Sequence, residues 1–161
     1  MDILITGHTS GIGKVIFDNF DDTYGLCRST GFDITKNNIQ NYLNDKDIFV
    51  NNAWSSEDPL AQTKLIYQAK DYVKRIICIG SNTIYDGIYK DSKKSLENAC
   101  LDLYNTGYNI TLIKLGKVDT PFLKDSRDLK IEISYIIKIF EFILFCPYRI
   151  EQISIRPDGN C

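Results

Sequence analysis

Tyr89 and Lys93 stand four residues apart in a segment, 87–105, where Leu96, Ala99, Cys100 and Leu103 recur at helical spacing. Side chains at i and i+4 share one helix face, so the phenol and the ammonium are predicted to be neighbours. A free phenol titrates near ~10 and is a poor proton carrier at neutral pH. An adjacent cation favours the phenolate, and each tenfold gain in ionisation corresponds to about 1.4 kcal/mol. The pair therefore suits general acid–base work. The other reading of the same spacing is a tyrosine that packs on an amphipathic helix.

A second constellation opens the chain. Thr6-Gly7-His8-Thr9-Ser10-Gly11-Ile12-Gly13 follows a β-rich run over residues 2–7 and leads into a helical pattern. Glycines allow a tight turn and remove the Cβ atoms that would hold a pyrophosphate away from the backbone. The helix N-terminus beyond them offers unpaired N–H groups and the positive end of its dipole. A Walker A loop is excluded, because His8 stands where a Gly is required and Val15 where Ser or Thr is required. A purely structural glycine turn is the alternative. The second strand ends at Cys27-Arg28-Ser29. An acidic residue there would suit the ribose hydroxyls of NAD, whereas Arg beside Ser suits a 2′-phosphate, so NADP(H) is predicted, with NAD possible.

The elements that must position these residues alternate along the chain. Strands are predicted near 2–7, 24–27, 47–53, 75–81, 109–116 and 152–157, with a brief extended piece at 32–35. Helices are predicted after Gly13, over 37–45, from Pro59 to Val73 with Ser55, Ser56 and Asp58 as caps, over 87–105 up to Gly107, and over 127–145 before Pro147. Near-continuous apolar strands separated by helices argue for a single α/β domain, 1–161, with a parallel sheet covered on both faces. There is no linker, repeat or low-complexity segment.

Composition narrows the function classes. The 161 residues are 43% hydrophobic and 25% charged, with a formal charge of −2, which leaves no surplus for holding nucleic acid. Five scattered cysteines without a CxxC pair argue against a disulfide framework or a zinc site, and no metal is expected. A reducing cytoplasm is the expected home; no signal peptide and no membrane span is expected. The single histidine, His8, excludes a two-histidine metal site and reads as a bystander.

The motifs in order resemble the short-chain dehydrogenase/reductase family, over essentially the whole chain. TGHTSGIG is similar to that family's TGxxxGxG loop, Asn51-Asn52-Ala53-Trp54 to its NNAG motif with Trp for Gly, and Tyr89-Lys90-Asp91-Ser92-Lys93 to YxxxK. Leu115-Gly116-Lys117-Val118-Asp119-Thr120-Pro121 is similar to PGxVxTP with Leu for the first Pro. The resemblance implies a Rossmann-type doubly wound parallel sheet with Ser81, Tyr89 and Lys93 as the catalytic set. Ser81 would hydrogen-bond the substrate oxygen, and Lys93 would also hold the nicotinamide ribose. It further implies cofactor contacts from Gly7, Thr9, Ser10, Gly11, Ile12, Gly13, Asn52 and Ala53, from Asp33 to the adenine, and from Val118 and Thr120 to the carboxamide. Arg28 and Ser29 complete the predicted cofactor set.

Departures from the family pattern are equally definite. Only Thr30 and Gly31 separate Ser29 from FDIT, too few for a crossover helix, so one helix is missing and a loop replaces it. The family's fourth active-site residue, an Asn, has no identified counterpart; Gln62 and Gln68 are the nearest polar candidates. Ser81 and Tyr89 are closer in sequence than is usual. The segment over the substrate is nearly absent, which implies a large substrate, a cover supplied by a partner subunit, or poor exclusion of water. In the last helix Ile133, Ile136, Ile137, Phe140, Ile143 and Leu144 can face the sheet, leaving Ile139, Phe142 and Phe145 for another cover, such as a homodimer or homotetramer. The leading expectation is an NADP-dependent oxidoreductase acting on a carbonyl or alcohol. A non-catalytic NADP-binding sensor and a nucleotide-sugar reductase or epimerase are the alternatives.

Overall fold

Alternation of Cβ direction turns each apolar run into a strand with two buried faces. The computed structural model describes residues 1–82, 87–120 and 129–157, and in it six such strands form one fully parallel sheet. In chain order the described strands and α-helices are β1 (Ile3–Thr6), α1 (Gly11–Asn19), β2 (Thr23–Leu26), β3 (Ile48–Asn51), α2 (Ala61–Ala69), β4 (Arg75–Ser81), α3 (Ile88–Asn105), β5 (Ile110–Leu115), α4 (Ile133–Phe145) and β6 (Gln152–Ile155). The sheet order is β2-β1-β3-β4-β5-β6. Ile3 is in register with both Thr23 and Ile48, so β1 lies between β2 and β3.

Two cores result. Leu4, Phe49, Ile76, Cys78, Ile110 and Leu112 face α2 and α3, where Leu65, Ile66, Leu96 and Leu103 meet them. Ile3, Ile5, Ile48, Val50, Ile77, Ile79, Ile113 and Leu115 face the opposite layer, with Ile16 of α1 and Ile136, Phe140 and Ile143 of α4. Phe20 and Phe140 close that second layer with rings 4.9 Å apart, edge to face. This is the predicted doubly wound sheet.

The predicted missing crossover helix is indeed a loop between β2 and β3, and its Phe32, Ile39 and Leu43 fill the space on the sheet. Two expectations within it are corrected. FDIT is a turn rather than an extended piece, because the Asp33 carboxylate accepts from both the N–H and the hydroxyl of Thr35, at 2.9 and 2.8 Å. The helix expected over 37–45 shrinks to a 3-10 turn at Gln40–Tyr42. Asparagine side chains capture the backbone there: Asn37 Oδ1 accepts from Asp33 N and Asn38 Oδ1 from Gln40 N.

Helix α2 is shorter than expected. Pro59 and Leu60 form a turn in front of it, with Leu60 N–H donating to Asp58 Oδ1 at 3.1 Å. α4 begins at Ile133 rather than 127, because Ile131 pairs with Val118 in an isolated parallel bridge; residues 127 and 128 lie outside the described set. Ile139, expected to need outside cover, packs half-buried on the core, whereas Phe142 and Phe145 stay 59% and 78% exposed.

Candidate functional site

The strand order reverses direction between β1 and β3, and in open α/β sheets such a switch point opens a crevice at the carboxyl ends of the strands. Gly7 and Gly13 are packed into it. Gly7 has φ +75°, a region that favours glycine. A Cβ on Gly13 would run into the Gly7 carbonyl and the Asn52 amide, well inside contact distance, so no larger residue fits the tight entry to α1. Gly11, at φ +55°, has open space where its Cβ would be.

The loop is braced by hydrogen bonds. Asn52 Nδ2 donates to the carbonyls of Thr6 and Gly7, at 3.1 and 3.3 Å. The buried Thr6 hydroxyl accepts from the N–H groups of Asn52 and Ala53, at 3.1 and 3.2 Å. Sequence reasoning missed Thr6. Its signal was a hydroxyl on the last residue of an otherwise aliphatic strand. Asn52 and Ala53 thus belong to the scaffold of the glycine loop.

Ser10 caps α1 with extended backbone and makes no side-chain cap bond. The first-turn N–H groups at Gly11, Ile12 and Gly13 have no intrahelical acceptor, as at any helix start. Thr9 and Ser10 are exposed beside them, while Ile12 packs against the core. First-turn amides at a helix start, with no side chain on Gly11 or Gly13, fit the pyrophosphate of a dinucleotide. The His8 ring lies 4.8 Å from Phe17 and directly over Gly25, a packing role.

At the end of β2, Arg28 points to two carboxylates. Its Nε lies 3.3 Å from Asp33 Oδ2 and its Nη2 3.3 Å from Glu57 Oε1, with Ser55 Oγ at 3.4 Å. Thr35's backbone N–H and hydroxyl, and then Arg28, hold the Asp33 carboxyl below its ordinary value. Ser29 Oγ is 2.9 Å from Cys27 Sγ. The structure therefore brings Arg28 and Asp33 together and adds Ser55 and Glu57, which sequence reasoning did not assign to the cofactor.

Ser81 ends β4, Tyr89 lies in the first turn of α3, and both line one cleft of about 420 Å³ with Lys93. Lys93 Nζ sits 5.4 Å from the centre of the Tyr89 ring, as the four-residue spacing predicted. The Trp54 ring meets Tyr89 edge to face at 5.0 Å, and its Nε1 donates to Ser92 Oγ. Thr83, Ile84, Tyr85 and Asp86, between Ser81 and the helix, lie outside the described residues.

The ammonium of Lys93 donates to Gln62 Oε1 at 2.7 Å and to the Ile79 carbonyl at 3.1 Å. Gln62 is 1% exposed, and its Nε2 donates to Asn51 O while Asn51 Nδ2 donates to Gln62 O. That reciprocal pair fixes the amide orientation, so the oxygen faces Lys93. Burial disfavours the ammonium and brings Lys93 down to about 8, partly opposed by Cys78 nearby. It is still protonated at neutral pH. Of the two glutamines considered, Gln62 reaches the site; Gln68 instead accepts from Ile39 N and anchors the β2–β3 loop. Val118 is buried in the core beside the bridge to Ile131, and Thr120 is buried next to it; Pro121 lies outside the described residues.

Among the described residues no cluster of three His, Cys, Asp or Glu side chains could hold a metal ion, and no helix is long and apolar enough to cross a membrane. No family model and no curated protein matches the chain. Solved structures do. A β-ketoacyl-[ACP] reductase from Bacteroides thetaiotaomicron superposes with a TM-score of 0.78 at 19% identity, covering 98% of this chain and 97% of that one. The 3-alpha-hydroxysteroid dehydrogenase from Pseudomonas sp. B-0831, solved with NADH, gives 0.75 at 14% identity, covering 96% and 94%. A nucleoside-diphosphate-sugar epimerase from Staphylococcus aureus gives 0.68 at 18% identity, covering 98% of this chain and 71% of that one. The chain therefore has the Rossmann fold on which short-chain dehydrogenases and reductases are built.

Proposed function

We propose that the protein is an NADP(H)-dependent oxidoreductase of the short-chain dehydrogenase/reductase type, active on a carbonyl or alcohol. The observation that carries this reading is the meeting of Ser81, Tyr89 and Lys93 at one cleft, on the same carboxyl edge of the sheet as the glycine loop. Gly7, Gly11, Ile12 and Gly13, with Thr9 and Ser10 at the rim, would hold the pyrophosphate. Arg28 and Ser29 would face the 2′-phosphate, and Val118 and Thr120 the carboxamide. When bound, the reduced nicotinamide supplies a hydride to the carbonyl carbon. Tyr89 gives its phenolic proton to the carbonyl oxygen, which leaves an alcohol and the oxidised nicotinamide. Ser81 hydrogen-bonds that oxygen as charge develops on it. Lys93, held by Gln62 and Ile79, places a cation beside the phenol and favours its ionised form.

NAD(H) is the second cofactor reading, and a specific observation favours it. Asp33 and Glu57 outnumber the single charge of Arg28, so a 2′-phosphate must displace the exposed Glu57 to reach the guanidinium. We further infer a cytosolic protein, on the free thiols of Cys27, Cys78, Cys100 and Cys146, that self-associates through the exposed aromatics of α4. Oxidation of NADPH in the presence of a panel of aldehydes and ketones tests the activity. Turnover that falls by 10²–10⁴-fold in Tyr89→Phe, with cofactor binding retained, is the expected outcome. Cofactor binding without turnover on any carbonyl would point to the sensor alternative.

A further inference from the structure

The cleft beside Ser81 and Tyr89 is basic. Among the described residues, five of the chain's 19 lysines and arginines line it, Lys90, Lys93, Lys94, Lys114 and Arg156, against one carboxylate, Glu97, in a protein whose net charge is −2. Glu97 is already paired with Lys114 at 2.6 Å. Lys90, Lys94 and Arg156 are exposed and form no ion pair among the described residues. Clustering like charges on one wall raises the energy of the folded state unless an anion shares the site.

The phosphates of the dinucleotide, held at the glycine loop and at Arg28, do not account for these cations. The glycine loop follows β1, whereas Lys114 lies on β5, three strands away, or about 14 Å at the usual strand spacing. Arg28 is farther still, at the end of β2 on the opposite edge from β6. The cleft, about 420 Å³ and open to solvent, has room for a small molecule.

We infer that the substrate is a small carbonyl compound carrying an oxyanion, a carboxylate or phosphate, seated between α3 and the β5–β6 edge on Lys94, Lys114 and Arg156 while its carbonyl lies at Ser81 and Tyr89. This rests on the oxidoreductase reading for the reaction itself, but the anion seat stands on the charges alone.

Matched pairs of aldehydes test it: 4-carboxybenzaldehyde against benzaldehyde, and glyceraldehyde 3-phosphate against glyceraldehyde, each with NADPH. The anionic member is expected to show kcat/KM at least about tenfold higher, with the two pairs ranking carboxylate against phosphate. Lys94→Gln with Arg156→Gln, both on exposed side chains, should erase most of that ratio by lowering kcat/KM for the anionic member. Equal kcat/KM within both pairs would overturn the inference while leaving the reductase reading standing. A binding arm separates the two failures. Backbone amide shifts are followed with 4-(hydroxymethyl)benzoate and with benzyl alcohol. Shifts along 90–98 and 154–156 from the carboxylate alone, with no aldehyde reduced, would uphold the anion seat and reject the reductase. No shifts from the carboxylate would overturn the seat.

Discussion

Lys93 is the residue on which the proposed chemistry turns, and its burial leaves a measurable trace. Its folded value of about 8 lies below the ordinary 10.5, so the folded chain binds this proton less tightly than the unfolded chain. Below pH 8 both states carry it, and folding bears the full cost of the buried ammonium. Between about 8 and 10.5 the folded state sheds the proton first, so the cost fades and stability from this site rises with pH. Native chain and Lys93→Met should therefore converge or cross by up to roughly 3 kcal/mol over that window in denaturant titrations; a pH-independent gap would contradict the assignment. Gln62 holds that ammonium with a neutral oxygen. Gln62→Glu puts a carboxylate there and should move the Lys93 titration well above 8, read from the 13Cε shift of labelled lysine. Gln62→Met, by contrast, leaves Lys93 and Asn51 short of a partner and should cost about 1–3 kcal/mol. The Tyr89–Lys93 pair was legible from spacing alone. The choice of Gln62 over Gln68 was not, because it depends on how α2 docks on α3.

Among the elements, the glycine loop is the most tightly specified. Gly13→Ala is expected to destabilise the protein by about 1–3 kcal/mol and to abolish dinucleotide binding, since the added Cβ meets backbone and the Asn52 amide rather than a movable side-chain end. Gly11→Ala, with open space but positive φ, should cost less than Gly13→Ala in the same unfolding assay. Strands were readable because buried parallel strands leave unbroken aliphatic runs. The loop between β2 and β3 was misread at two points. At Asp33 and at Asn37 and Asn38, polar side chains took over the backbone hydrogen bonds that an extended piece or a helix would have used. Periodicity at Ile39, Tyr42 and Leu43 reported burial correctly for Ile39 and Leu43 but not the helix. The start of α4 was misplaced because the Val118–Ile131 bridge joins residues far apart in sequence.

At the scale of the molecule, two cores and a single parallel sheet put the glycine loop, Arg28 and the Ser81–Tyr89–Lys93 cleft at the carboxyl ends of the strands, and the order of strands separates the glycine loop from the basic cleft. The opposite concern is α4, whose Phe142 and Phe145 are uncovered. Light scattering after size exclusion should show a dimer or tetramer that Phe142→Lys with Phe145→Lys converts to monomer; a monomer at all concentrations would remove the self-association reading. The central claim, that the glycine loop holds a nicotinamide dinucleotide, is tested most directly by thermal unfolding with NADPH, NADP, NADH and NAD. A dinucleotide at about a hundred times its Kd should add about 2.7 kcal/mol, with NADPH the strongest and its advantage lost in Arg28→Asp. Unchanged unfolding with all four would contradict the account.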